Sequence, residues 1–311
     1  MKVSSARGLS CYTAALHGYL AAEWDASALL ARSVRLAVRR TAEAELAFSH
    51  HEPSLHQLPD GSSLRYAAAG TERAALAGVA AELAGHGRAI VVVDNSRLAW
   101  SASRNGASTP HWLLIIGVGP AGWEVTDDFT ALLPTGEQLP YHGRLSDAEL
   151  IDAMRLPDLP PVHRQRLALA FGALVDVPAG RFRWLRRVPD AGSARPVLPE
   201  DGWRIQDAEA IGLLLNVAAE DGAGIMPYLD DLWAAAGHRC FACRWWLTQP
   251  VEEVADRPML EAMLARWERL PRLLRIALES VMHGRPRTTL VRTALAELAS
   301  QPGLAGRVCP A

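Results

Sequence analysis

A proline-rich stretch at residues 189–201 divides this 311-residue chain into two parts with different patterns. The stretch carries three prolines and few apolar residues, which is typical of linkers between domains. Before it, helical and strand-like apolar runs alternate; after it, every periodic segment has helical spacing. The sequence therefore predicts a mixed α/β (α+β) domain over 1–188, a linker over 189–201 and an all-helical domain over 202–311.

Helix and strand signals alternate in the first domain. Apolar residues at helical spacing predict helices over 11–23, 27–47, 71–83 and 146–154. The last of these helices opens on the capping box Ser146-Asp147-Ala148-Glu149. Short apolar runs predict buried strands over 89–93, 112–118 and 123–126, and a polar loop follows the first of them at 95–110. Gly119-Pro120-Ala121-Gly122 is a strong turn signal between the last two strands.

The second domain shows only helical periodicity. Its predicted helices span 205–220, 224–236, 238–248, 256–283 with a bend at Pro271, and 287–300. Cys240 and Cys243 have CxxC spacing in one of them, but no second pair accompanies them and only His238 lies close by. With four cysteines in the whole chain, we expect neither a disulfide framework nor a metal site, but buried helical thiols.

Composition limits the classes of function. Half of the residues are hydrophobic and the net charge is −2, which indicates a soluble globular protein and disfavours a nucleic-acid binder. No run of about twenty apolar residues is free of charge, and residues 1–10 lack the apolar core of a signal peptide. We therefore expect a cytoplasmic protein that does not contact a membrane. Its oligomeric state is not predicted.

Three chemically useful residues follow one another in a meaningful order. Cys11 opens an apolar helix, where backbone N–H groups and the helix dipole favour the thiolate. His111 leads into a buried strand, and Asp127 ends the next strand. Each residue alone is more often structural, but nucleophile, base and orienting acid in this order are what a papain-like cysteine enzyme needs. The joint placement therefore predicts a Cys-His-Asp site.

The orienting acid has two candidates, Asp127 and Asp128. Side chains alternate along a strand, so Asp127 shares a face with Val125 and Trp123. If that face lines the cleft, Asp127 is the orienting acid, and we favour it over Asp128.

Short stretches of the chain resemble the butirosin biosynthesis protein H family. The stretches that carry the resemblance are Cys11 to Glu23, Val93-Asp94 to Leu98, His111 to Gly117 and Val125-Thr126-Asp127. The helical second half is also similar to the helical domain of many family members. The resemblance implies a papain-like fold and transfer of an acyl group from an acyl-carrier-protein thioester to an amine, in specialised-metabolite (antibiotic) biosynthesis.

The resemblance also implies roles for single residues. Cys11 would be the nucleophile, His111 the base and Asp127 the orienting acid. Asp94 would shape the cleft or pair with the acceptor, and Tyr12 and Asp128 are further candidates for the cleft. The backbone N–H of Cys11 can serve as one oxyanion donor. Papain-like peptidases usually add a glutamine upstream, whereas residues 1–10 offer only Ser4, Ser5, Arg7 and Ser10.

The implied partners are an acyl or peptidyl carrier protein and a small-molecule acceptor. No cofactor is expected, because phosphopantetheine would enter as part of the carrier-bound substrate. Carrier proteins are acidic, so a basic docking surface is expected. Two arginine groups qualify: Arg32, Arg35, Arg39 and Arg40, predicted on one helix face, and Arg181, Arg183, Arg186 and Arg187.

Two other classes of function remain open from sequence. One is a cysteine hydrolase, which includes thioesterases, amidases and peptidases; the missing upstream glutamine counts against a peptidase. The other is a non-catalytic binding protein on the same fold, which an apolar surrounding of Cys11 with His111 turned away would favour. Within the leading class, attack by an internal nucleophile would give cyclisation instead of transfer to a separate amine.

Overall fold

A computed structural model describes most of the chain, in mixed α/β form with an antiparallel sheet. The described residues are 7–43, 45–133, 136–189, 198, 202–220, 224–250, 254, 256–285 and 287–299. They fall into two compact units. The sheet unit contains the described residues of 5–26 and 54–197, and the helical unit those of 27–53 and 198–311.

The sheet unit is built around six antiparallel strands. Its strands are β3 (Ser62–Ala69), β4 (Ala89–Asp94), β5 (Pro110–Gly119), β6 (Gly122–Asp127), β7 (Ala131–Leu133), β8 (Gly136–Gln138), β9 (Tyr141–Leu145) and β10 (Phe182–Pro189). The order in the main sheet is β3-β10-β4-β5-β6-β9, and β7 pairs separately with β8. Its helices are α1 (Cys11–Leu20), α3 (Glu72–His86), α4 (Asp147–Met154) and α5 (Pro161–Leu169).

Helices cover both faces of the sheet. Apolar side chains of α3 and α4 form a buried core with one face of β4, β5, β6 and β10. Helix α1 packs on the other face, where a Cβ added to Gly18 would lie 2.9 Å from Leu114 Cδ2. Arg88, just before β4, donates to the carbonyl of Gly18 at 2.6 Å and so holds the end of α1. At the other end of α1, the Tyr12 hydroxyl donates to the Pro110 carbonyl at 3.5 Å, so the start of α1 lies at the start of β5.

The helical unit combines a β-hairpin with helices. It contains α2 (Ala26–Ser33), β1 (Val34–Arg40), β2 (Leu46–His51), α6 (Asp207–Glu220), α7 (Leu229–Leu247), α8 (Arg257–Trp267), α9 (Leu270–Met282) and α10 (Thr288–Ala299). Strands β1 and β2 are antiparallel, and α6 and α7 pack against β1. The predicted helices 224–236 and 238–248 are one helix, α7, because buried Gly237 lies in its interior without ending it. The predicted helix 256–283 is two, with Pro271 in the first turn of α9.

The prediction of a helix over 27–47 is wrong. Helix α2 ends at Ser33, and residues 34–40 form β1. The arginines at intervals of three and four residues suit a helix, but Leu36, Ala37 and Val38 are all buried between β2 and the helices of this unit. Tertiary packing therefore overrides the local pattern. Residues 27–53 accordingly cluster with the helical unit, whereas the predicted first domain included them.

Several predicted elements are confirmed. Helix α3 and strands β4, β5 and β6 occur where they were expected, and β5 and β6 pair across the predicted turn. The capping box at α4 is present: Ser146 Oγ accepts from Glu149 N at 3.2 Å, and the Glu149 carboxylate accepts from Ser146 N at 2.8 Å. The predicted linker 189–201 lies outside the described residues except for Pro189 and Leu198. Among the described helices, none combines the length and the apolarity that a bilayer span requires.

Candidate active site

Cys11 is the first residue of α1. Ser10 caps this helix, since its Oγ accepts a hydrogen bond from Thr13 N at 3.3 Å. The first N–H groups of a helix lack intrahelical acceptors, so the helix start presents donors and a positive dipole end beside the Cys11 thiol. The side chain is partly exposed, which leaves the sulfur open to a substrate.

His111 and Asp127 form a buried pair at the ends of two neighbouring strands. His111 Nε2 lies 3.0 Å from Asp127 Oδ2, and the two residues are only 1% and 3% exposed. Trp100 Nε1 donates to the same Oδ2 at 2.9 Å, and the backbone N–H of Phe129 donates to Oδ1 at 3.2 Å. The carboxylate is therefore held by three donors, and the imidazole is oriented by the carboxylate.

The electrostatics of the pair favour a charged imidazole. Burial alone would lower the pKa of His111, but Asp127 and Cys11 outweigh burial and raise it to about 10. Burial would raise the pKa of Asp127, but the bonds from His111, Trp100 and Phe129 hold it below its ordinary value. A charged imidazole next to a cysteine is, in general, an arrangement that favours a thiolate.

The two ring nitrogens of His111 have different partners. Nε2 lies 3.0 Å from Asp127 Oδ2, and the Cys11 side chain interacts electrostatically with the same ring. With Nε2 occupied, Nδ1 is the nitrogen that can face the thiol. His111 thus contacts Asp127 directly and interacts electrostatically with Cys11.

Asp128 is placed differently from Asp127. Its Oδ1 lies 3.5 Å from His142 Nε2, and its side chain is 38% exposed. The predicted reason for preferring Asp127 was a shared cleft face with Val125 and Trp123, but both of those residues are in the core beneath α3 and α4. Asp127 is on the same face of β6 as Val125 and Trp123, but it is the last residue of the strand. It therefore lies past the edge of the core, where it contacts His111.

Asp94 organises the loop that follows β4. Its Oδ1 accepts from Ser96 N at 3.0 Å and from Ser96 Oγ at 2.8 Å, and Oδ2 accepts from Ser108 Oγ at 2.6 Å. Arg97 Nε is 3.7 Å away. The buried carboxylate therefore ties both ends of the 95–109 loop, which also carries Trp100, to the sheet. Whether Asp94 also shapes the cleft or pairs with an acceptor, as expected from the resemblance, stays a prediction.

Tyr12 belongs to an aromatic cluster next to Cys11. Its ring lies 5.2 Å from that of Trp112, which lies 5.1 Å from Phe171 and 6.1 Å from Tyr66. Burial raises the pKa of Tyr66 well above its ordinary value, and the charge of Cys11 adds to the rise. This cluster, which sequence analysis did not identify apart from Tyr12, gives Cys11 an apolar wall.

The predicted helix face of Arg32, Arg35, Arg39 and Arg40 does not exist, because α2 ends before the last three of them. Arg32 stacks on Trp245 and Trp246 at 5.5 and 5.6 Å, and Arg39 on Trp203 at 5.0 Å. Arg35 pairs with Glu52 and Arg40 with Glu220. These four arginines are engaged inside the helical unit.

The four arginines of the second group lie in β10 or directly before it, and they differ in their partners. Arg187 pairs with Glu23 and Asp60, and Arg183 donates from Nε to the Pro178 carbonyl at 3.1 Å. Arg181 and Arg186 are exposed. Of this group, those two present their charge to solvent.

The oxyanion donors are only partly defined. The N–H of Cys11, at the first position of α1, remains the main-chain candidate. The Ser10 hydroxyl caps the helix, and Arg7 lies in an exposed turn. Ser4 and Ser5 lie outside the described residues.

The sequence analysis did not identify Trp100 and Phe129 as residues of the candidate site. Trp100 holds Asp127 and stacks on Tyr141, with ring centroids 3.8 Å apart. The Phe129 ring lies 5.6 Å from the His111 ring. A single tryptophan in an otherwise polar loop was the available signal for Trp100; Phe129 had none beyond its position two residues after Asp127.

Cys240 and Cys243 are buried free thiols in α7, as expected. Burial raises their pKa values to about 12 and about 11, which keeps both protonated. Within the described ranges, no group of three or more His, Cys, Asp or Glu side chains is arranged to hold a metal ion. No protein-family model matches the chain, and no curated protein matches it either.

Proposed function

We propose that this protein is a cysteine-dependent acyltransferase with a papain-like catalytic unit. The observation that carries the proposal is the buried His111–Asp127 pair at 3.0 Å, with Cys11 at a helix N-terminus and in electrostatic interaction with the same imidazole. The antiparallel sheet with a helix on its face and the nucleophile at that helix's start supports the papain-like assignment. The short motifs shared with the butirosin biosynthesis protein H family support it further.

The first step is acylation of Cys11. The thiolate attacks the carbonyl carbon of a thioester and forms a carbon–sulfur bond. The tetrahedral oxyanion is stabilised by N–H groups at the start of α1. The carbon–sulfur bond to the leaving thiol then breaks, and that thiol takes the proton of the His111 imidazolium. Asp127 stays ionised and holds the ring throughout.

The second step transfers the acyl group to an amine. Neutral His111 accepts a proton from the amine as its nitrogen attacks the acyl-enzyme carbonyl. The carbon–nitrogen bond forms, the bond to Cys11 breaks, and the thiolate–imidazolium pair is restored. The same site would give cyclisation if the amine or hydroxyl belonged to the acyl chain itself.

The expected donor is an acyl or peptidyl carrier protein carrying phosphopantetheine, and the expected acceptor is a small amine. Both come from the family resemblance. Arg181 and Arg186 remain as the exposed charges for docking an acidic carrier. A good leaving group makes a thioester reactive toward a thiolate without strong acid assistance, which suits a site whose acid is a single imidazolium.

Hydrolysis is the second candidate, because Cys11 is partly exposed and water can reach its acyl-enzyme. The non-catalytic alternative was tied to a His111 turned away from Cys11. The electrostatic interaction of Cys11 with the His111 ring counts against that alternative.

The proposal is tested by intact mass after incubation with acyl-carrier thioesters. The wild type is expected to gain the mass of one acyl group, on the peptide that contains Cys11, and Cys11→Ala is expected to gain none. Cys240→Ala is the matched control and should acylate like the wild type. An adduct that persists in Cys11→Ala, or none in either protein, overturns the proposal. Release of the acyl group by an added amine indicates transfer, and release by water alone indicates hydrolysis.

A further inference from the structure

A cavity of about 580 Å³ opens beside the sheet unit's last strand. Its walls come from the segment after α4, from α5, from residues 174–177 and from β10. Most of the lining is aliphatic: Leu159, Leu167, Ala168, Leu174, Val175 and Val177. A volume of this size suits a small organic molecule, and an aliphatic lining suits one with an apolar body.

Arg183 brings a positive charge into this apolar cavity. It projects from β10, is half-buried, and is fixed by the bond from Nε to the Pro178 carbonyl at 3.1 Å. Asp158, which also lines the cavity, acts on Arg183 through its charge, but no ion pair to this guanidinium occurs among the described residues. The remaining guanidinium N–H groups are suited to a planar anion, since arginine binds carboxylates in bidentate fashion. Burial lowers the pKa of Arg183 although the charge of Asp158 opposes the shift, so a ligand anion in contact with the guanidinium would complete its pairing.

The mouth of the cavity limits how much negative charge the ligand can carry. Asp158 and Asp176 line it and are exposed, and Arg164 beside them donates to the Leu159 carbonyl at 2.6 Å. Two carboxylates repel a polyanion. A single carboxylate that passes them to reach Arg183 is the best match.

Tyr66 connects the cavity to the candidate active site. Its hydroxyl donates to the carbonyl of Leu167, a residue of the cavity wall, at 2.9 Å. The same phenol interacts electrostatically with both Arg183 and Cys11. The cavity therefore adjoins the nucleophile's aromatic wall.

We infer that this cavity binds a monoanionic carboxylate with an apolar body, its carboxylate paired with Arg183. The assignment does not rest on acyl transfer, because it concerns binding to residues other than Cys11, His111 and Asp127.

Calorimetric titration with octanoate, octyl phosphate and octylammonium tests this site, on the full chain carrying Cys11→Ala. We expect octanoate to bind best, and Arg183→Gln to weaken it by about tenfold to a hundredfold, as for a lost charged hydrogen bond. Arg183→Lys should retain part of the affinity. Arg186→Gln, an exposed arginine on the same strand, is the matched control and should bind like its parent.

A second variant keeps the test independent of Arg183's structural role. Ala168→Trp fills the cavity and should abolish octanoate binding while leaving Arg183 in place. Absence of octanoate binding, equal affinity in Arg183→Gln, or tighter binding of octyl phosphate or octylammonium would each overturn the inference. Because acylation of Cys11 is measured separately by mass, failure of the acyl-transfer proposal and failure of this site are distinguishable.

Discussion

The pKa values of buried histidines shift in opposite directions in the two units of this molecule. In the helical unit, burial lowers the pKa values of His51 and His238 well below the ordinary value, and the neighbouring His50 lowers them further. In the sheet unit, His111 is equally buried, yet its pKa is raised to about 10. The difference lies in the partners and not in the degree of burial.

The helical-unit histidines pack against one another and against cations. The ring of His238 lies 5.0 Å from that of His51 and 5.3 Å from that of His50. Arg35 lowers the pKa of His51, and Arg239, which is paired with Asp207, lowers that of His238. A carboxylate 3.0 Å from His111 reverses the sign of the shift. Burial thus makes a histidine structural and neutral, and one acid makes it charged and suited to catalysis.

The largest effect is expected from removal of the His111 imidazole. His111→Ala should lower acyl-transfer turnover by roughly two to four orders of magnitude, because no base remains for the amine. His111→Gln is the matched control for folding, since its amide can still donate to Asp127, and it should be as inactive as His111→Ala. Turnover within tenfold of the wild type in both variants would remove His111 from the mechanism.

Neutralising the orienting acid should make His111 resemble the helical-unit histidines. In Asp127→Asn, burial remains while the charge is lost, so we expect the pKa of His111 to fall from about 10 to near or below its ordinary 6.5. An NMR titration of the imidazole measures this shift. Asp128→Asn should leave His111 unchanged, and a larger shift in that variant would reverse the choice between the two aspartates.

Acid should destabilise the helical unit through His51 and His238. Both are neutral when folded but gain protons below about pH 6.5 when unfolded, so stability is present above that pH and is lost as pH falls. Stability is therefore expected to fall between pH 6.5 and 5, with a contribution from each histidine. Urea unfolding at both pH values measures it. The loss of stability in His238→Phe should be about half the loss in the wild type. His142→Ala, which removes an exposed histidine, should lose as much stability as the wild type. An undiminished loss in His238→Phe would contradict the prediction.

The raised pKa of His111 has the opposite consequence. Its charged form stabilises the fold fully below pH 6.5, and this contribution is lost as pH rises through about 10.

The smallest effect is expected at the exposed arginines of the sheet unit. Arg186→Glu should raise the KM for a carrier-protein donor several-fold at low salt, with kcat unchanged, because rim charges mainly steer association. Arg73→Glu, on α3, is the matched control. High salt should abolish the difference between the two variants by screening. Equal KM values at low salt would exclude docking at Arg186.

The failed prediction of an arginine face shows where sequence patterns mislead. Arg32, Arg35 and Arg39 recur at helical spacing, but the segment between them is a strand whose pairing with β2 and packing against α6 and α7 involve residues far along the chain. Strands β3, β7, β8, β9 and β10 were also not predicted. Strand formation depends on cross-strand partners, which one segment's composition does not reveal.

The parts of the candidate site that were predictable depend on local signals. A serine cap before Cys11, a buried run after His111 and a turn-bounded strand before Asp127 each specify an element and its end through neighbouring residues. Helix capping and hydrophobic periodicity act over a few residues, so the chain order alone indicated the three side chains.

The rest depended on contacts between distant segments. Trp100 and Phe129 hold Asp127, Tyr66 links Cys11 to the cavity of Arg183, and residues 27–53 cluster with the C-terminal helices. None of these contacts can be recognised from hydrophobic periodicity, because each depends on packing between segments that are distant in the sequence. The order of Cys11, His111 and Asp127 could thus be inferred from local sequence. The protonation of His111, and the reason why Asp127 and not Asp128 contacts it, came from the packing of β5 and β6 against the 95–109 loop.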